Sequence, residues 1–461
     1  MGRAIATLLI VVAAGAGLPA AAQASRSQLS VMEDDHLVLW SGAVARERAL
    51  DEMQRLGVTT LHVLVIWRRL APAPGSRTRP AFDAADPASY AGWEPFDEAV
   101  QGAQARGIRV LLTPTGPVPE WASECGSRAV RRWICSPRVS DYAAFVRALG
   151  TRYSGFYSPA GAPLPRVTAW SFWNEPNHSA WLRPQAGAAT RYRALALAGI
   201  KALAMTGHAN DLKLIGETAP GGGSKSTAPV TFMRDVFCLR CSRHPRFDVG
   251  GISDHPYTYA AIASPSTFMG KAGDAPIGAV NRLVSLLDTA ARYGIVPRGT
   301  PVYLTEFGFQ THPPDPYGVS LAQQAQYLNY SDYVAYRNPR IASTAQYELN
   351  DDPHVGVFNT GLRFKDGRPK PALSAYALPI YVQRLGGGAA RIFGLVRSAR
   401  GPGASVAIQN RRRTTFRTVA RIATNRWGYL LARVPDYRGR WRLVVGTGAE
   451  RRVSRSALAG R

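Results

Sequence analysis

Two acids stand where an apolar chain should exclude them. Glu175 lies in Trp170-Ser171-Phe172-Trp173-Asn174-Glu175-Pro176-Asn177, and Glu306 falls in Val302-Tyr303-Leu304-Thr305-Glu306-Phe307-Gly308-Phe309. Burying a charged group without a partner is costly, so an acid closing a hydrophobic strand is either paired or held at a shifted pKa for chemistry. A pair of such acids suits cleavage of a glycosidic bond. There, one carboxylic acid protonates the leaving oxygen while a carboxylate attacks or assists at the anomeric carbon. Glu120, Glu217, Asp254 and Glu348 also fall near strand ends, but each alone reads as a binding or structural carboxylate.

The elements that position the two acids follow from the hydrophobic pattern. Short apolar runs alternate with amphipathic segments, as repeated βα units around a parallel sheet require. Eight strands are expected, at 37–40, 60–67, 108–114, 167–173, 212–217, 249–255, 302–306 and 342–347, with a last helix at 372–381. Gly57, Gly107 and Gly294 each stop a helix before a new strand, which fixes the direction of the units. Both acids then lie at the carboxyl-terminal face of a barrel, where such folds carry their active sites. Beyond residue 385 the pattern changes to short alternating runs separated by Gly-, Asp- and Arg-rich turns. The expected architecture is therefore α/β: a (β/α)8 TIM barrel over 25–384, then a small antiparallel β-sandwich module over 385–461.

With Asn174 directly before Glu175 and with Thr305-Glu306-Phe307-Gly308 ending the seventh strand, the chain resembles the clan A glycoside hydrolases. Trp173-Asn174-Glu175-Pro176-Asn177 and Tyr347-Glu348-Leu349-Asn350-Asp351 look closest to family 39 and the bacterial exopolysaccharide hydrolases. The resemblance covers the barrel alone. It implies that Glu175 is the acid/base, Glu306 the nucleophile, and Asn174 the partner of the sugar hydroxyl beside the anomeric carbon. It gives His255 and Tyr257, in Asp254-His255-Pro256-Tyr257, the holding and tuning of the nucleophile. The implied reaction retains configuration and calls for neither cofactor nor metal. Two departures stand out: many clan members carry an Arg on strand two, where this chain has Leu61-His62-Val63, and a Trp on strand eight, where it has Gln346-Tyr347-Glu348.

Trp67, Trp121, Trp181 and Tyr347, with Trp40 and Trp173, fall at or just after strand ends, and their faces suit the apolar faces of pyranose rings. The expected substrate is an oligo- or polysaccharide. A non-catalytic carbohydrate-binding barrel and a transglycosylase are the alternatives.

Residues 1–24 read as an export signal: Arg3, an apolar stretch from Ala4 to Gly17, and a small-residue site at Ala22-Gln23-Ala24. No later run is long enough to span a membrane, so a secreted, extracellular monomer is expected. The four cysteines, Cys125, Cys135, Cys238 and Cys241, fit disulfides in an exported protein. Of the three pairings open to them, short loops favour Cys125 with Cys135 and Cys238 with Cys241. No tight His motif for a metal occurs. The net charge of +25 favours anionic cell-wall or polysaccharide surfaces. Its arginines look scattered, so compositional bias is the stronger reading, and no nucleic-acid module is seen.

Overall fold

The computed structural model describes residues 25–460 apart from 26, 127, 267–270, 354–357 and 399–402. The expected export signal lies outside the described residues. Eight parallel strands form one sheet: β1 Leu29–Glu33, β2 Thr60–Ile66, β3 Arg109–Thr115, β4 Ala169–Phe172, β5 Leu212–Thr218, β6 Gly251–Asp254, β7 Val302–Leu304 and β8 Ser343–Tyr347. Their order runs from β8 to β1 and on through β7. An isolated bridge between Val302 and Ile341 carries the ring toward closure. This is a TIM barrel.

Helices α1 Ala43–Leu56, α2 Glu94–Ala105, α3 Val139–Arg152, α4 Ala188–Ala204, α5 Pro229–Val236, α6 Asn281–Arg292, α7 Leu321–Tyr336 and α8 Pro371–Ala377 alternate with the strands. Their apolar stripes bury against the barrel, so both faces of the strands are covered and the strands read as continuous hydrophobic runs. Among the described residues, no helix is long and apolar enough to cross a membrane.

The first strand is not where the apolar run Leu37-Val38-Leu39-Trp40 pointed. That run forms one wide helical turn, His36–Trp40, and the strand is Leu29–Glu33. A short apolar run fits a buried strand or a buried turn equally. The decision falls to Asp34, whose Oδ1 accepts the Leu37 N–H at 3.0 Å and turns the chain there. The same shift places Glu33, Asp34 and Asp35 at the barrel mouth.

The last helix also ends earlier than its pattern suggests, at Ala377. Pro379 follows, and Ile380–Leu385 is already a strand, β9, paired antiparallel with β10 Ala389–Leu395. The module thus begins some five residues before the expected boundary. It is a sandwich of two antiparallel sheets. One is β9, β10 and β13 Tyr429–Pro435; the other holds β11 Ser405–Arg412, β12 Thr415–Ala423, β14 Arg440–Val445, β15 Arg452–Val453 and β16 Ala457–Leu458.

The module is seated on α7. Tyr330 and Tyr333 stack on Tyr381 with centroids 4.7 and 4.6 Å apart, and Tyr336 packs against Phe393 and Tyr429. Buried Arg397 pairs with Asp332 at 2.6 Å and donates to the Tyr376 carbonyl at 2.8 Å. At the end of α1, Gly57 adopts φ +79° and lies so near the Arg397 carbonyl that a Cβ would come within 2.3 Å of its oxygen. Only glycine meets both demands. Cys125 is bonded to Cys135 and Cys238 to Cys241, the pairings that loop length favoured.

Candidate active site

The carboxyl ends of the strands surround a cleft of about 1080 Å³. Glu175 and Glu306 both line it. Glu175 follows β4 through Trp173, and both residues hold left-handed backbone, φ +39° for Glu175 and +69° for Trp173. The turn is fixed by hydrogen bonds from the Trp173 amide to the Pro114 carbonyl and from the Glu175 amide to the Glu217 carbonyl at 3.0 Å. Glu217 (φ +43°), ending β5, and Glu348 (φ +67°), just after β8, share the strained conformation. Backbone strain of this kind persists where surrounding structure enforces it and clusters at functional sites.

His255 joins the two acids. Its Nδ1 lies 3.4 Å from Glu175 Oε1 and 3.5 Å from Glu306 Oε2. Two oxygens this near one atom are no more than about 7 Å apart, against about 5 to 5.5 Å between the carboxyl groups of retaining glycosidases. Burial disfavours a charged imidazole, but Glu306 and Glu175 overcome it and push the His255 pKa up to about 9. Tyr257 donates its hydroxyl hydrogen to Glu306 Oε2 at 3.2 Å. Glu306 is itself pushed well above the ordinary carboxylate range, chiefly by burial and further by Glu33 and Glu175, while His255 and His62 act in the opposite direction. Asn174 lines the cleft nearly buried, and among the described residues its Oδ1 has no hydrogen-bond partner.

Behind the pair is a buried row that the sequence left unassigned. His62, on β2, faces Glu33 at 2.5 Å through Nδ1. Its Nε2 lies 3.0 Å from Thr113 Oγ1 and 3.3 Å from Glu217 Oε1. Burial lowers the His62 pKa, yet the two carboxylates outweigh it and hold the ring charged well above its ordinary range. Burial raises Glu33 to about 7 against the pull of His62. Glu217 shows the opposite balance: burial would raise it, but His62 and His255 hold it below the ordinary range. Glu33, His62 and Glu306 each bring a ligand-type atom within 4.8 Å of the others. Both His62 nitrogens already face carboxylates or Thr113. The signal was in the sequence as the missing Arg on strand two: a charged His stands there instead.

The aromatic residues divide. Trp181, Tyr257 and Tyr347 line the cleft, joined by Trp40 and Phe358. Trp67 and Trp121 do not. Trp67 is fully buried, stacked on Phe145 at 5.4 Å and edge-on to Trp121, itself 2 % exposed. The expected sugar contacts of these two are corrected to packing between the barrel and its helices, because the chain turns outward after β2 and β3. Trp173 is likewise buried, edge-on to Tyr142. Of the rival acids, Glu120 reaches Arg68 at 3.6 Å and Asp254 accepts the Thr218 hydroxyl at 2.6 Å. Glu348, 4 % exposed, lines the cleft with its Oε2 unpartnered. Burial and the neighbouring Asp34, Asp352 and Asp351 push it up to about 10.

No protein-family model matches the sequence, and no curated protein matches it. Solved structures do match in fold. A family 39 glycoside hydrolase from Bacteroides cellulosilyticus superposes with a TM-score of 0.55 at 15 % identity, covering 88 % of this chain and 81 % of that one. A glucosidase from Croceicoccus marinus gives 0.54 at 12 % identity, covering 91 % and 95 %. The fold is thus one shared with glycoside hydrolases.

Proposed function

We propose that the protein is an exported retaining glycoside hydrolase that cleaves β-glycosidic bonds in an oligo- or polysaccharide. Glu306 attacks the anomeric carbon while Glu175 protonates the departing oxygen; Glu175 then takes a proton from a water whose oxygen bonds to the anomeric carbon, breaking the bond to Glu306 and freeing the sugar. The observation that carries this reading is the single His255 nitrogen within 3.5 Å of both carboxyls. A charged imidazole there favours the ionised nucleophile, against the burial that would neutralise it. Tyr257 steadies the attacking carboxylate, and the unpartnered Oδ1 of Asn174 is free to accept a sugar hydroxyl. Trp40, Trp181 and Tyr347 offer ring faces to pyranoses. The disulfides are compatible with an oxidising compartment.

The test is to assay Glu175→Ala and Glu306→Ala on a panel of aryl β-glycosides with and without azide. The acid/base variant is expected to give a β-glycosyl azide and the nucleophile variant an α-glycosyl azide. Full activity in both variants, or wild-type products of inverted configuration, overturns the proposal.

A further inference from the structure

The net charge of +25 is not spread over the molecule. Residues 380–461 hold eighteen arginines, no lysine and two acids, Asp436 and Glu450, so this module carries +16 of the +25. Over the whole chain the arginines look scattered; divided where the barrel ends, they are concentrated.

The strand register collects several of them on one face. Along β11, Val406 and Ile408 are fully buried in the sandwich, so Ala407, Gln409 and Arg411 point outward. Directly opposed residues share a face. Arg440 opposes Arg411, Arg442 opposes Gln409, and Arg421 opposes Ala407. Arg411, Arg421 and Arg440 are exposed. Arg442 lies over the Phe416 ring at 3.9 Å and donates to Gln409 Oε1 at 2.8 Å. Burial and nearby Arg451 hold its pKa below the ordinary value. None of these arginines forms an ion pair among the described residues, and Asp436 is engaged by Arg384 at 2.7 Å.

Like charges opposed across neighbouring strands destabilise a sheet. Arg411 and Arg440 are such a pair, and among the described residues no ion pair offsets them. We propose that the outer face of this sheet binds an acidic polysaccharide, its guanidinium groups clamping the carboxylates of uronic-acid residues. The planar guanidinium fork matches a carboxylate bidentately, and arginines on adjacent strands repeat on the scale of the inter-strand spacing, about 4.8 Å. A single-stranded nucleic acid needs exposed rings on which bases stack, and Phe416 is capped by Arg442. A membrane needs a broad apolar surface, and Leu458, beside Arg440, is the large exposed apolar side chain on this face. The inference stands apart from the chemistry of the cleft.

The test measures binding of the full chain to polygalacturonate at about 50 and about 200 mM salt, with neutral dextran, duplex DNA and phosphatidylglycerol vesicles as comparisons. Arg411→Gln/Arg421→Gln/Arg440→Gln is compared with an equal charge change on exposed barrel residues, Arg48→Gln/Arg55→Gln/Arg147→Gln. The module triple is expected to weaken polyuronate binding by about tenfold or more and flatten its salt dependence, the barrel triple by less than about twofold. Arg411→Lys/Arg421→Lys/Arg440→Lys keeps the charge and the fold while losing the fork, and is expected to weaken binding by a few fold. Equal losses in the module and barrel glutamine triples, tighter binding to DNA or vesicles than to polyuronate, or no binding to polyuronate at the lower salt overturns the proposal.

Discussion

His62 Nδ1 lies 2.5 Å from the Glu33 carboxylate, and both residues bring an atom within 4.8 Å of Glu306. The ring lies between Glu33 and Glu217, and its charge acts on Glu306 against the repulsion from Glu33 and Glu175. Removing the ring in His62→Gln takes away a charge that lowers the Glu306 pKa and leaves Glu33 without its partner beside Glu306. A higher nucleophile pKa means that the attacking carboxylate appears only at higher pH. The acid limb of kcat/KM is expected to lie higher in this variant than in wild type, with activity at neutral pH falling about a hundredfold. A pH–rate profile superimposable on wild type would show that His62 has no such influence.

Tyr257→Phe removes the hydrogen bond to Glu306 and little else, since the ring is packed against Phe307 and Phe358. A hydrogen bond to a charged group contributes about 1.5–3 kcal/mol, so kcat is expected to fall by about one to two orders of magnitude with KM nearly unchanged. A rise in KM at constant kcat would place Tyr257 in sugar binding instead.

Glu348 gives a stability prediction with a defined sign. Its folded pKa of about 10 lies far above the ordinary 4.5 of a free glutamate, so the folded state keeps a proton that the unfolded state releases. Stability is therefore greatest below about 4.5 and is lost progressively as pH rises toward about 10. Glu348→Gln removes this dependence. It is expected to melt like wild type at acid pH and several degrees higher at about pH 8, while turnover falls because a cleft-lining carboxyl is gone. Identical melting curves across that range would contradict the burial argument.

The divided aromatics predict divided phenotypes. Trp181→Ala, at the cleft wall, is expected to raise KM about fivefold or more with the melting temperature held. Trp67→Ala, in the packing layer, is expected to cost about 3–5 kcal/mol in denaturant unfolding. Equal melting temperatures for the two variants would argue against the packing described.

Much of the barrel was legible because parallel strands buried on both faces leave unmistakable apolar runs, and glycine stops gave their direction. Both acids were readable for the same reason, as charges out of place. The first strand was not: periodicity cannot separate Leu29–Glu33 from the apolar turn at His36–Trp40, and the arbiter is the hydrogen bond that the Leu37 amide donates to the Asp34 side chain. With that strand went Glu33 and the row behind the nucleophile. Trp67 and Trp121 misled because a tryptophan after a strand can turn toward the axis or toward the helices, and sequence does not state which. The arginine face was hidden by counting over the whole chain, since only strand register shows which side chains lie together.

The seam between α7 and the sandwich has a further consequence. Tyr330, Tyr333 and Tyr336 project from this helix into the module, while Ala325 and Leu328 are buried and Asp332 holds Arg397 of the module. Neither half can loosen at this helix without stripping the other of aromatic cover and leaving a buried charge unpaired, at a cost of several kcal/mol. The two folding units are therefore expected to unfold as one cooperative unit, with heat or denaturant releasing the cleft and the arginine-bearing sheet together.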